Sequence, residues 1–238
     1  RQMSYSQFYI KRLRVMQSGE PVYDQTFHRG VNIIRGENGS GKSTIADFIF
    51  YALGGEFDNW KSVAANCDEV QAEIGTASGF LVVKRAIGKA QTPAMVFFGT
   101  FEEAAAQGLD GWQSYPIRRT AGGNESFSQI IFRASGIPEA QSQGAANITM
   151  NQLLRLLYAD QRTPASFFFR YESFDTGEIR EAVGDLVCGI RGYESYEIEL
   201  ELRKLNKQFD ELDAQYKALL KSLPEEEALA RVESVDGR

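Results

Sequence analysis

Residues 36–43 read Gly36-Glu37-Asn38-Gly39-Ser40-Gly41-Lys42-Ser43, and they satisfy every fixed position of the phosphate-loop pattern G-x-x-x-x-G-K-S/T. The flanks suit the motif. Gly30-Val31-Asn32-Ile33-Ile34-Arg35 is a short apolar run that predicts a buried strand, and Thr44 to Leu53 predicts a helix. Strand, glycine loop and helix in that order are the setting in which the pattern works. Three glycines let the backbone curl so that successive N–H groups face phosphate oxygens, and the positive end of the helix adds to their field. In such a loop Lys42 reaches the β- and γ-phosphates and the Ser43 hydroxyl takes a place on Mg²⁺. The sequence therefore predicts a nucleoside triphosphate ligand.

Working outward, the chain has 238 residues, 43% of them hydrophobic, which supplies one sizeable core and an appendage. No apolar run reaches the length of a membrane-spanning helix, and the opening Arg1-Gln2-Met3-Ser4-Tyr5 lacks signal-peptide character. Two cysteines far apart, Cys67 and Cys188, predict reduced thiols and a cytoplasmic setting. His28 is the only histidine, so a Ser-His-Asp triad or a histidine-rich metal site has little to draw on. The net charge is −6, of which residues 194–238 carry −5 and the remaining 193 residues −1. Net charge does not speak to a local patch, so the basic groups Lys11-Arg12 with Arg14, Lys84-Arg85 and Arg118-Arg119 admit either ordinary solvated surface, the commoner reading of any one pair, or a patch for nucleic acid.

Periodicity sketches the remainder. Phe8 to Val15 alternates as a strand, and Val22 to Phe27 closes a hairpin. Val70 to Ile87 reads as a second hairpin, Ala94 to Gly99 as a further strand, and Leu109 to Pro116 pairs nearby. Antiparallel strands around one phosphate-loop unit predict an α/β fold with a mixed sheet. Helices are expected over Asn124 to Ser135, Met150 to Leu157 and Thr176 to Cys188, the first stopped by Gly136-Ile137-Pro138. Phe167-Phe168-Phe169, Trp60 and Trp112 are read as core packing. Ile198, Leu202, Leu205, Phe209, Leu212, Tyr216, Leu219 and Leu223 are spaced 4, 3, 4, 3, 4, 3, 4, a heptad seam that calls for a partner helix. The expected organisation is residues 1–192 as a globular lobe, 193–223 as a coiled-coil segment and 224–238 as a linker.

A phosphate loop near the start, the step Tyr158-Ala159-Asp160-Gln161 far downstream and then a heptad helix resembles the N-terminal half of the ATPase head of the Rad50 and SMC family, a branch of the ABC-type ATPases. Asp47 in the helix after the loop, and Ile10-Lys11-Arg12-Leu13-Arg14 in the first strand, add to the likeness. The region Tyr158 to Arg170 is similar to the SMC-type subunit of bacterial anti-phage systems such as Lamassu. The resemblance implies a P-loop head that uses ATP and Mg²⁺. Asn38, Gly39, Ser40, Gly41, Lys42, Ser43 and Thr44 would wrap the phosphates, and Arg14 would lie near the nucleotide. Ser43 and Gln161 would meet the metal, and Lys42 and Gln161 would serve hydrolysis. It also implies that the catalytic glutamate and the serine-glycine-glycine signature lie in a C-terminal lobe of the same protein. Two heads would form a homodimer around two ATP molecules and engage double-stranded DNA, with a nuclease or accessory subunit and no membrane, in the cytoplasm or on the nucleoid. Asp185, in a helical pattern, is a poor candidate for the missing acidic strand. The residues also admit a nucleotide-binding subunit of an ABC transporter, a self-contained P-loop kinase, or a scaffold that nucleotide only stabilises. DNA repair, chromosome organisation and anti-phage defence are all compatible with the likeness.

Overall fold

Six strands carry the alternating segments, and every pairing among the described residues is antiparallel. The computed structural model describes residues 8–58, 60–88, 92–118, 125–137, 148–159, 176–189 and 193–222. The strands are β1 (Phe8–Gln17), β2 (Glu20–Thr26), β3 (Glu69–Thr76), β4 (Gly79–Ala86), β5 (Ala94–Phe98) and β6 (Gln113–Tyr115), in the order β2-β1-β3-β4-β5-β6. The helices are α1 (Lys42–Ala52), α2 (Ser62–Ala65), α3 (Phe101–Gln107), α4 (Phe127–Ser135), α5 (Met150–Leu157), α6 (Gly177–Cys188) and α7 (Tyr193–Ser222).

The period of two sorts the side chains. Leu13 and Val15 of β1, Val70, Ala72 and Ile74 of β3, Leu81 and Val83 of β4, and Ala94 and Val96 of β5 join one buried cluster. Phe48 and Tyr51 of α1, Ile130 and Ile131 of α4, and Met150 and Leu154 of α5 belong to the same cluster. Alternate residues form a smaller second cluster, in which Val82 and Phe97 meet Phe101 and Ala104 of α3 with Trp112 against them. The glycine at Gly54 lets α5 approach the end of α1, because a Cβ there would lie 2.8 Å from Met150 Cβ.

Several boundaries differ from expectation for local reasons. Helix α1 starts at Lys42, two residues earlier than the apolar pattern implied, with left-handed Gly41 as its N-cap. Helix α4 starts at Phe127 because Ser126 and Gln129 form a reciprocal capping box. Helix α3 was not anticipated, although Thr100 and Glu103 make the same kind of box ahead of it.

The larger correction concerns residues 30–35. They form no strand, so the described sheet has no parallel member, and Val31 and Ile33 are 80% and 71% exposed. An apolar strand is buried only when a neighbouring strand and a covering layer are present, and none of the described residues supplies them. The Phe167 cluster, the 141–147 loop, Arg119 and residues 223–238 lie outside the described residues.

The chain divides into two compact units, Arg1–Ile190 and Arg191–Arg238. Within the second unit α7 runs for 30 residues. The side chains of Leu202, Leu205, Phe209, Leu212, Tyr216 and Leu219 on its apolar seam are 50–69% exposed.

Candidate nucleotide site

The phosphate-loop motif folds as the glycines require. Gly39 and Gly41 have φ of +84° and +88°, a region that L side chains rarely adopt. A Cβ on Gly36 would stand 2.5 Å from Ser40 Oγ, so the loop closes tightly there. Ser40 N–H donates to Glu37 O at 3.2 Å, which completes the turn. Gly41 offers no side-chain cap to α1, so the first-turn N–H groups of that helix face the loop as an anion-binding terminus. The Lys42 ammonium donates to Gly36 O at 2.8 Å and Glu37 O at 2.6 Å, which pins the start of the loop over its end. An ammonium has three donors, so this geometry retains one for a ligand oxygen.

Asn38, Gly39, Ser40, Gly41, Lys42, Ser43 and Thr44 all line one cleft of about 630 Å³. That volume is in the range of small-molecule and cofactor sites. The opposite wall is largely apolar: Val15 of β1, Val22 and Tyr23 of β2, and Val63, Ala64 and Cys67 on and after α2, with Gln17 and Lys61 as polar members. Burial pushes the Cys67 thiol pKa upward, so it behaves as an apolar wall residue rather than a nucleophile.

A triphosphate and Mg²⁺ fit this donor set. The loop backbone, Lys42 and the hydroxyl-bearing Ser40, Ser43 and Thr44 line the cleft, and the Ser43 hydroxyl is a hard oxygen donor of the kind Mg²⁺ takes. No group of three or more His, Cys, Asp or Glu side chains suited to a metal occurs among the described residues.

Helix α1 is anchored at its far end by Arg85, which the strand alternation turns into the core. The guanidinium donates to Tyr51 O, donates to Gly55 O at 3.0 Å, and lies 3.8 Å from the Tyr51 ring centroid. Burial lowers its pKa to about 10, so it remains charged at neutral pH. A cation at a helix C-terminus complements the macrodipole that is positive at the phosphate loop. Trp60 packs on the same helix, with its ring centroid 5.1 Å from those of both Phe48 and Tyr51. Arg85 was missed by reading Lys84-Arg85 as a surface pair. Strand alternation was the available signal, since it sends Lys84 to the other face, 3.9 Å from the Trp112 ring centroid.

Arg14 is placed away from the cleft lining. Its Nε donates to Asp24 at 2.9 Å, and its guanidinium lies 4.8 Å from the Phe101 ring centroid, beside α3. Val15, next along β1, points to the cleft instead, so the pleat that sends Val15 inward sends Arg14 outward. The other basic groups also have internal partners: Lys11 with buried Glu73 at 2.6 Å, Arg12 with Asp24 at 2.6 Å, and Arg118 with Glu56 at 3.0 Å.

Gln161 lies outside the described residues, but the step leading to it begins inside them. The Tyr158 hydroxyl donates to Asp47 Oδ1 at 2.5 Å, and its ring lies 4.9 Å from Phe50. Both Tyr158 and Asp47 stand out in the sequence; only the fold brings them together.

The profile of a domain family described as AAA domain matches residues 22–236, which include most of β2, the phosphate loop, β3 to β6 and α7. No curated protein matches the chain.

Proposed function

The chain belongs to the AAA domain family, an ATPase family that includes SMC- and Rad50-like proteins and implies nucleotide binding and hydrolysis with ATP, and from that premise we propose that it is the ATP-binding half of an SMC- or Rad50-like head. In this reading ATP joins two heads, hydrolysis releases them, and the cycle controls engagement of double-stranded DNA in repair, chromosome organisation or anti-phage defence.

The observation that carries the reading is the uncovered apolar run beside the cleft. Val31 and Ile33 stand in water immediately before a fully formed phosphate loop. Apolar alternation of this kind is stable when a further strand and layer cover it. A C-terminal lobe of the same protein would supply that cover, together with the acidic groups that hydrolysis requires. The exposed seam of α7 fits a helix that leaves the head and pairs with a returning partner.

Within the site, the loop N–H groups and Lys42 bind and orient the phosphates, and Ser43 holds the metal side. Ser43 would help hold Mg²⁺, which would supply neutralisation of phosphate charge. Gln161 would orient the attacking water. Closure of two heads is favoured by ATP because only the closed state adds a second set of γ-phosphate contacts. Since the basic groups of β1, β4 and residue 118 have partners or stack on aromatic rings, the duplex would be gripped by a surface formed on joining the heads.

The deciding experiment measures ATP affinity and turnover of this chain, then of the chain completed with its C-terminal lobe, with and without duplex DNA. Binding without steady turnover alone, and DNA-stimulated turnover once completed, is the expected result. Lys42→Ala should weaken ATP binding by about a hundredfold with little change in Tm, an effect typical of losing a charged hydrogen-bond donor to phosphate. Steady turnover by this chain alone would overturn the half-head reading in favour of a self-contained P-loop enzyme.

A further inference from the structure

The wall of the cleft opposite the phosphate loop is assembled from two stretches of chain. The β1–β2 hairpin contributes Gln17, Val22 and Tyr23, and the segment from α2 to Cys67 contributes Val63 and Ala64. Neighbours in a strand ordinarily face opposite ways, yet Val22 and Tyr23 both line the cleft. The register explains this. Val15 pairs with Tyr23 and Met16 with Pro21, so Val22 is the extra residue of a β-bulge, a device that re-aims a side chain. Val22 and Val63 are 56% and 78% exposed, which leaves apolar surface on offer to a ligand at this wall.

Asp68, directly after Cys67, joins the two stretches. Its carboxylate accepts Ser18 N–H at 2.5 Å, at the tip of the hairpin. Its own N–H donates to Met16 O at 2.8 Å, and its carbonyl accepts Ile87 N–H at 2.9 Å, just beyond β4. Ser18 has φ of +51°, a region that side chains other than glycine seldom occupy, so the turn gains from an outside hold. The two backbone bonds fix Asp68 to the sheet, and its carboxylate carries the hold out to the turn.

We propose that Asp68 is a positioning residue for the nucleoside part of the ligand: its carboxylate holds the hairpin turn, and with it Gln17 and the Val22 bulge, against the segment that carries Val63. The inference rests on the nucleotide reading above and adds to it the part of the cleft that takes base and sugar. The phosphate loop serves the anionic end of the ligand. A base offers a flat apolar face, which suits Val22, Tyr23 and Val63, and polar edges, for which the Gln17 amide has both donors and an acceptor. Asp68 itself is not among the residues lining the cleft, so it acts through the wall it holds.

The test compares binding of ATP, ADP and inorganic triphosphate to this chain by calorimetry. Inorganic triphosphate reports on the phosphate loop alone, and the two nucleotides share the nucleoside. Asp68→Ala should weaken ATP and ADP about fivefold each, the scale of one hydrogen bond lost from a ligand-bearing wall. Inorganic triphosphate should stay within about 1.5-fold of wild type, a separation that general loosening of the fold would not produce. Asp68→Asn, which keeps an acceptor oxygen, should hold ATP affinity within about twofold of wild type. Val22→Ala should weaken ATP about threefold through lost apolar contact, and Asp68→Ala in that background should add less than about twofold, because hold and seat act as one. An unchanged ATP affinity in Asp68→Ala, an equal loss for inorganic triphosphate, or a full fivefold addition in the Val22→Ala background would each overturn the proposal. Failure of the nucleotide reading looks different: the wild-type chain would then bind neither ATP nor inorganic triphosphate.

Discussion

Two apolar alternating runs in this chain meet opposite fates. Val70, Ala72 and Ile74 of β3 are wholly buried, paired on one side with β1 and on the other with β4. Val31 and Ile33 alternate in the same way and stand open. Their side chains are alike, so hydrophobicity does not separate them. Neighbours do: β3 has two strands within hydrogen-bonding distance and a helical layer over one face, and residues 30–35 have neither among the described residues. The closed region holds the fold together, and the open region borders the chemistry.

That contrast can be broken most forcefully at Ile74. Ile74→Ala removes side-chain volume from a site with no exposure, and it should destabilise the chain by about 4 kcal/mol, read as a lower midpoint in urea. A loss below about 1 kcal/mol would mean that β3 is not the centre of the core.

An intermediate effect is expected on β2, the edge strand, where Asp24 receives Arg12 Nε at 2.6 Å and Arg14 Nε at 2.9 Å. The Arg12 hydrogen bond, aided by Arg14, holds the Asp24 carboxyl below its usual pKa. A folded pKa below the unfolded one gives stabilisation that is complete above the ordinary carboxylate range and drains as pH falls through the lower, folded value. Asp24→Asn should cost about 1.5 kcal/mol at pH 6, and the gap between variant and wild type should close as the urea midpoint is followed down to pH 2. A gap independent of pH would show that the carboxylate charge contributes nothing.

The smallest effect belongs to the open run. Ile33→Asn should change the stability of this chain by less than about 0.5 kcal/mol, as exposed substitutions do, yet impair association with the added C-terminal lobe in a pull-down. A large drop in Tm of the chain alone would place Ile33 in a core and erase the comparison.

Legibility followed the range of the forces involved. The start of helix α5 was readable to the residue because it is set by Thr149 and Gln152, three positions apart. The phosphate loop was readable because glycine spacing and one lysine are local requirements of curling a backbone around an anion. Arg14 was placed from a resemblance rather than from the pleat, which turns it to Asp24 and α3. Arg85 was hidden because its partners, Tyr51 and Gly55, are 34 and 30 positions away in sequence. Helix α3 carried its own signal in Thr100 and Glu103, but its seven residues leave too short an apolar pattern to register.

By itself the sequence determined what is covalently near: the phosphate loop, the capped helices, the strand alternation and the heptad spacing. Each depends on backbone conformations or side-chain periods set within a few residues. Tertiary structure decided which apolar runs are covered, which arginine enters the core and which faces Asp24. It also brought Tyr158 onto Asp47 across 111 positions of chain. Those outcomes depend on strand order and helix direction, which arise when distant segments compete for the same buried surface.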